Sequence, residues 1–352
     1  MRGIAAISVM MFHYLLGSPY HLFEHGFYAV DFFFVLSGVV LTHSYATKIR
    51  GHMRFTQYLR VRMIRLYPFY AFGSILGVVS LLSYMASASI VGFHRVDYIL
   101  SMICGALFLP YPNRGDIPFV GDWTMSGAAF PLDIPAWSLF FEILASIALF
   151  LVIRNRINPR YVLGLSFVAL VVVLLRYRTL NVGYSTGTFL AGVPRTAFWF
   201  FFGVAMYQIF IRSRGLRIAL DPWMILAVTA IMFTIPTSPL AIRFASGGVI
   251  CAILIPALIF FGLSVDARSE RRHVFIWLGK ISYGIYAIHL PVYQLVIFVL
   301  AGTSLAHQVR QAPMLLACLL GCLVILLAHL LTSFLDEPLR RWLNGIPSRQ
   351  PA

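Results

Sequence analysis

Charge is scarce in this chain. Of its 352 residues 11% are Asp, Glu, Lys or Arg, against 60% hydrophobic. That excludes a soluble globule of this size, which would need a polar coat that the sequence does not contain. Acidic residues are scarcer still, 12 against 27 Lys and Arg, for a formal net charge of +15. The excess does not describe a nucleic-acid partner, because the basic residues form short clusters between apolar runs instead of one extended surface. The four cysteines, Cys104, Cys251, Cys318 and Cys322, lie in apolar stretches without CxxC or metal-finger spacing, so they are expected to be packing residues and no metal is expected. The first apolar run lacks a small-residue cleavage site, so no cleavable leader is expected. No polar stretch of even about 50 residues, the lower size of a domain, separates the apolar runs. One membrane domain over residues 1–352 is expected.

What the chain does contain is apolar runs near the roughly 20 residues that span a hydrocarbon core of about 30 Å. Tyr161–Leu175, Phe244–Leu263, Ile281–Ala301 and Ala312–Leu335 are the clearest. Spans are expected near residues 2–18, 27–46, 65–86, 136–153, 161–176, 195–211, 222–236, 244–263, 280–301 and 312–335. Basic connections at Lys48–Arg65, Arg154–Arg160, Arg212–Arg217, Arg268–His273 and the tail with Arg340, Arg341 and Arg349 separate them in pairs. Such clusters collect on the cytoplasmic side of bacterial-type membrane proteins. The expected fold is therefore an all-α, polytopic membrane helix bundle of about ten transmembrane helices, in the inner (cytoplasmic) membrane with both termini cytoplasmic. Tyr98–Leu109, apolar but only 12 residues long, is placed as a re-entrant or buried segment. The polar connection Pro110–Pro135, with Asp116, Asp122 and Asp133, then faces the exterior, as the rim of an acceptor site or as a plain connector.

Ionisable side chains inside spans are costly and are retained for function or for pairing within the bundle. Here they are Arg2, His13, Asp31, Glu142 and His289. Arg2 and His13 are eleven positions apart, which returns them to one helix face roughly 16 Å apart along the axis. An imidazole there suits proton removal from a hydroxyl, although a packing histidine would occupy the same place. Arg62 and Arg65 share a face at a helix start, where guanidinium groups grip phosphates or simply anchor the cytoplasmic end. Ser138 and Glu142 share a face one turn apart beside Trp137, so the carboxylate can orient a histidine, position an acceptor hydroxyl or hold two helices together. Ser282, Tyr286 and His289 form a polar stripe at i, i+4 and i+7 that lines a substrate cavity or bonds helix to helix. Asp31 is given no catalytic task, and Ser37 with Gly38 points to a close helix approach.

The segments RGIAAISVMMFH and GFYAVDFFFVLSG, then RVRMIRLYPFY from Arg60, PAWSLFFEI from Pro135, LGKISYGIYAIHLPV from Leu278 and DEPLRRW from Asp336, resemble in that order the acyltransferase-3 family of membrane O-acyltransferases. Their joint order covers almost the whole chain. The resemblance implies a bundle that moves an acyl group, acetyl above all, from cytoplasmic acyl-CoA to a hydroxyl of a carbohydrate or glycolipid. It places the family's arginine and histidine on Arg2 and His13, its paired arginines on Arg62 and Arg65, and its tryptophan, serine and glutamate on Trp137, Ser138 and Glu142. Arg2, Arg62 and Arg65 are then expected to hold the CoA phosphates. His13, supported by Glu142 or a similar carboxylate, is expected to act as base or transient acyl carrier, with Trp137, Ser138, Ser282, Tyr286 and His289 toward the acceptor. The family's start has a short lead-in before this arginine, so native residues are expected to be missing ahead of Arg2.

A secondary transporter or flippase for an anionic or glycolipid substrate would share the midplane polar residues and basic surface, but the sequence shows no inverted repeats and no paired broken helices. A polysaccharide-export partner without catalysis is the third reading. Oligomeric state leaves no trace in the sequence. The charge pattern generates a test of topology: cysteines placed at Arg156 and Arg214 should label from the same side of the membrane, and labelling from opposite sides would refute the pairing of spans.

Overall fold

The computed structural model describes residues 1–86, 94–120, 123–212, 221–234, 250–264, 272–301, 303–304 and 311–343. The chain is a helix bundle, as an apolar sequence must be where lipid offers the backbone no hydrogen bonds. The helices are α1 (Arg2–Tyr14), α2 (Tyr28–Arg50), α3 (Phe55–Ala86), α4 (Arg95–Ala106), α5 (Ala136–Arg154), α6 (Pro159–Tyr177) and α7 (Gly192–Arg212). After them come α8 (Pro222–Thr234), α9 (Ile255–Ser264), α10 (Arg272–Ala301), α11 (Pro313–Leu331) and α12 (Glu337–Leu343). Among the described residues seven helices are long and apolar enough to cross a membrane: α2, α3, α5, α6, α7, α10 and α11, the last with its continuation to Leu343. The chain is an integral membrane protein. Expected spans near 2–18, 222–236 and 244–263 correspond to shorter helices, α1, α8 and α9, and residues 235–249 lie outside the description. So do most of Arg212–Arg217 and Arg268–His273, as well as Asp122 and Arg349.

Local sequence sets the helix ends. Asn158 accepts a hydrogen bond from the Arg160 amide at 3.1 Å with Pro159 in the first turn of α6, a favoured start. α2 and α5 end on Arg50 and Arg154, cations that suit the negative ends of their helix dipoles. α4 covers most of Tyr98–Leu109 and, at 12 residues, extends only about 18 Å, which is too short to cross. It docks on α3 through Tyr67 and Tyr70, whose hydroxyls donate to the carbonyls of Ala106 (2.8 Å) and Gly105 (2.6 Å).

The connection after α4 is structured, not a loose rim. Two short antiparallel strands, β1 (Asp116–Val120) and β2 (Trp123–Ser126), form a hairpin. The chain beyond it is pinned to the segment before α7 by Ala129 N–H to the Tyr184 carbonyl (3.0 Å) and Thr186 N–H to the Gly127 carbonyl (2.7 Å). Asp133, expected on the exterior rim, is instead fully buried, because the pinned chain turns inward before α5.

Two apolar cores result. One unites α2, α5 and α7, and the other α1, α10 and α11, with α3 packed on α10. α2 and α7 approach closely. A Cβ on Gly38 would meet the Phe200 carbonyl, and one on Gly203 the Val35 carbonyl. Small residues of this kind let membrane helices touch backbone to backbone. Gly203→Leu should therefore force α7 off α2 and lower stability by about 1–3 kcal/mol or more, read as a fall in melting temperature in detergent. An equal substitution at Gly164, where a Cβ meets nothing, should leave it unchanged.

Candidate active site

Successive spans run back and forth, so Met1, Arg50, Arg154 and Arg340 gather at one end of the bundle, the basic end, and the β-hairpin caps the other. Each end holds a cavity, and α1 and α10 line both.

The hairpin-end cavity is about 370 Å³ and is lined by His13 of α1, Trp137 of α5, Arg195 of α7 and Tyr286 of α10, with Ser126 and Tyr184 from the capping segments. His13 does not stand alone. Its Nδ1 is 2.8 Å from His289 Nε2, and the two rings stack with centroids 5.0 Å apart. On its other side His289 Nδ1 lies 2.7 Å from the Tyr286 carbonyl, an acceptor only, so His289 donates from Nδ1 and in the neutral ring accepts at Nε2. His13 must then donate from Nδ1, which makes Nε2 its unprotonated nitrogen. This chain of bonds prepares His13 as a base.

Beside it the Ser138 hydroxyl is 2.6 Å from the Tyr286 hydroxyl, and Ser138 also donates to the Pro135 carbonyl at 3.0 Å. Arg195 is fully buried and grips Asp31 twice, Nε to Oδ1 at 2.8 Å and Nη2 to Oδ2 at 3.0 Å, while Nη1 donates to the Val182 carbonyl at 3.0 Å. Its guanidinium stacks over Trp137, 5.4 Å from the ring centroid. Two lattices of bonds thus fix the cavity wall.

The basic-end cavity is about 510 Å³ and is lined by Arg2, Arg65, Lys280, Ser282, Tyr283, Arg340 and Arg341, with Glu337 at its edge. Glu337 pairs with Lys280 (2.8 Å) and Arg341 (3.3 Å), and Asp336 pairs with Arg340. Even so, cations outnumber acids, which suits a ligand carrying several phosphates. Phe33 of α2 lies between the two cavities: the Arg2 guanidinium sits 5.9 Å over its ring, and its edge meets Tyr286 with centroids 5.6 Å apart.

A family model described as an acyltransferase domain matches residues 1–333. The chain belongs to the acyltransferase-3 family. Among curated proteins it is similar to protein 2 in the picA locus of Rhizobium radiobacter, 32% identical over 160 residues that make up 41% of this chain and 75% of that one. No solved structure matches. The protein is thus a membrane acyltransferase, and membership in an enzyme family decides against the transporter and export readings.

Two residue assignments change against the geometry. Arg62 was expected at an open helix start beside Arg65, but it is buried, and its Nη2 donates to Glu142 Oε1 at 2.7 Å. Only Arg65 of that pair lines the basic-end cavity, because Glu142 of α5 draws the Arg62 guanidinium into the bundle. Glu142, expected to support His13, instead accepts from Arg62 and from Ser37 (3.0 Å), one turn deeper than Ser138. The neighbour given to His13 is His289. The stripe divides as well: Ser282 faces the basic-end cavity, and Tyr286 the other.

Sequence reading missed Arg195, whose signal was a single arginine in the apolar run from Phe189 to Ile211 opposite the unassigned Asp31. It also missed Lys280 and Arg340, which the fold brings to Arg2. The buried Arg62–Glu142 pair should be a stability element: Arg62→Met strands a buried carboxylate at a cost of about 3–5 kcal/mol. Adding Glu142→Leu should recover most of the loss, and thermal unfolding of the single and double variants measures the recovery.

Proposed function

We propose that the protein moves an acyl group, acetyl in the first instance, from acyl-CoA bound at the basic end to a hydroxyl of a carbohydrate or glycolipid in the hairpin-end cavity. In this reading the chain works as one membrane domain in the inner membrane with both termini cytoplasmic. The observation that carries it is the alignment of two cavities of opposite character along α1 and α10, with Arg2 in one and His13 in the other.

The basic-end cations, Arg2 and Arg65 with Lys280 and Arg340, hold the phosphates of CoA. His13 lies roughly 16 Å deeper along α1, within the reach of an extended pantetheine arm. The arm passes Phe33, which separates the cavities. The acceptor hydroxyl approaches from the hairpin side, into the cavity that Trp137 lines. As that oxygen attacks the thioester carbonyl, His13 Nε2 takes its proton. The carbon–sulfur bond then breaks, and the proton goes on to the departing CoA sulfur. His289 keeps the His13 ring in the required tautomer, and the Tyr286 hydroxyl, which donates to Ser138 Oγ because the Ser138 proton goes to the Pro135 carbonyl, is held fixed in the cavity wall.

His13→Ala should lower transfer from labelled acetyl-CoA to a glycan acceptor by about a hundredfold to ten-thousandfold, the worth of a positioned base, while acyl-CoA binding is retained. Arg65→Gln should do the reverse, raising the Kd for acyl-CoA about tenfold or more with folding unchanged, because Arg65 is an exposed donor to phosphate. Near wild-type transfer by His13→Ala would refute the assignment.

A further inference from the structure

A second cavity at the basic end is larger than the one assigned to CoA. It has a volume of about 640 Å³ and lies where α2 and α5 end and α6 begins, lined by Arg50, Arg154 and Arg156 with Thr42 and Gln208. Its remaining wall is apolar: Ala46, Val152, Ile153, Ile157, Pro159 and Val204.

The charge balance of this cavity differs from every other cluster of cations described above. Arg62 and Arg195 each have a carboxylate, and the proposed donor cavity has Glu337 at its edge. Here three arginines line one space from separate places, the last residue of α2, the last of α5 and the turn between α5 and α6, and among the described residues no Asp or Glu lines it. Arg50 and Arg154 offset the negative ends of their own helices. Arg156 follows α5 in the left-handed position that terminates the helix, φ 55°, where its amide donates to the Ile153 carbonyl and the Ile157 amide to the Val152 carbonyl, and its side chain lines the cavity. Three like charges around one cavity at a membrane boundary repel one another unless an anion joins them. Guanidinium groups bind phosphate oxygens through paired charge-assisted hydrogen bonds, and the apolar wall beside them matches the start of an acyl chain.

We propose that this cavity is a binding site for an anionic glycerophospholipid of the surrounding leaflet, with the phosphodiester held by Arg50, Arg154 and Arg156 and the upper chains against Ile153, Ile157 and Val204. It is separate from the proposed donor cavity and shares no lining residue with it. An occupied site would tie the ends of α2, α5 and α7 together on the lipid-facing side of the core that carries Trp137 and Glu142.

The test uses the full chain, purified in neutral detergent, stripped of lipid and titrated with phosphatidylglycerol or with phosphatidylcholine of the same chain length, bound lipid being counted by native mass spectrometry. The wild type should retain phosphatidylglycerol in preference. The variant carrying Arg50→Gln, Arg154→Gln and Arg156→Gln should lose about tenfold or more in affinity with only a small fall in melting temperature in lipid-free detergent from the lost helix-end charges, since all three side chains are exposed. Arg156→Gln alone, which leaves the last residues of α2 and α5 in place, should show part of the loss and serves if the triple variant fails to fold. Arg160→Gln, exposed nearby but outside the cavity, should bind as the wild type does. Four results would overturn the proposal: undiminished phosphatidylglycerol binding by the variants, an equal loss in Arg160→Gln, equal competition by inorganic phosphate, or a raised KM for acyl-CoA in the triple variant, which would make the cavity part of the donor site.

Discussion

The hydrocarbon core of a bilayer supplies neither counter-charge nor hydrogen bonds, so a charge within this bundle must find its partner inside the protein. Two pairs carry most of that constraint. Arg195–Asp31 ties α7 to α2 at the hairpin end, and Arg62–Glu142 ties α3 to α5 toward the basic end. Both pairs join helices distant in sequence, and both sit in the core built on the close contact of α2 with α7. A buried pair is costly to assemble and more costly to break, so such pairs fix helix register more than they add net stability.

That fixed register is what lets the second core, α1 with α10 and α11, present a working surface. α1 supplies a cation at one end and an imidazole at the other, and α10 supplies Tyr283 and Tyr286 on successive turns facing the two cavities. His13 and His289 meet because α1 and α10 pack along their lengths, and Tyr14 closes the contact by donating to the His289 carbonyl at 2.8 Å. The small folded cap of β1, β2 and the segment before α7 roofs the hairpin-end cavity. Asp133 is drawn under that roof with neither carboxylate oxygen hydrogen-bonded among the described residues. Burial without a partner pushes its carboxyl well above the usual carboxylate range.

Much of this was legible in the chain before folding. Composition and run length determined a polytopic helical membrane protein, because a spanning segment announces itself by roughly 20 apolar residues whatever it later touches. Helical periodicity determined that Arg2 and His13 share a face, and that Ser138 lies one turn from Glu142. The order of short motifs determined the family. Each of these is a local property, set by neighbours within a few turns.

Partnership is different, since it depends on which helix faces which. Only the tertiary structure decided that Arg62 turns inward to Glu142 while Arg65 looks out, that the histidine is steadied by another histidine instead of a carboxylate, and that Asp31 is answered by Arg195 from 164 positions away. A carboxylate in a sequence carries no mark of the cation it will meet. That choice belongs to packing, which sets two charges within 3 Å or leaves them apart according to the shapes of the apolar side chains and glycines between the helices.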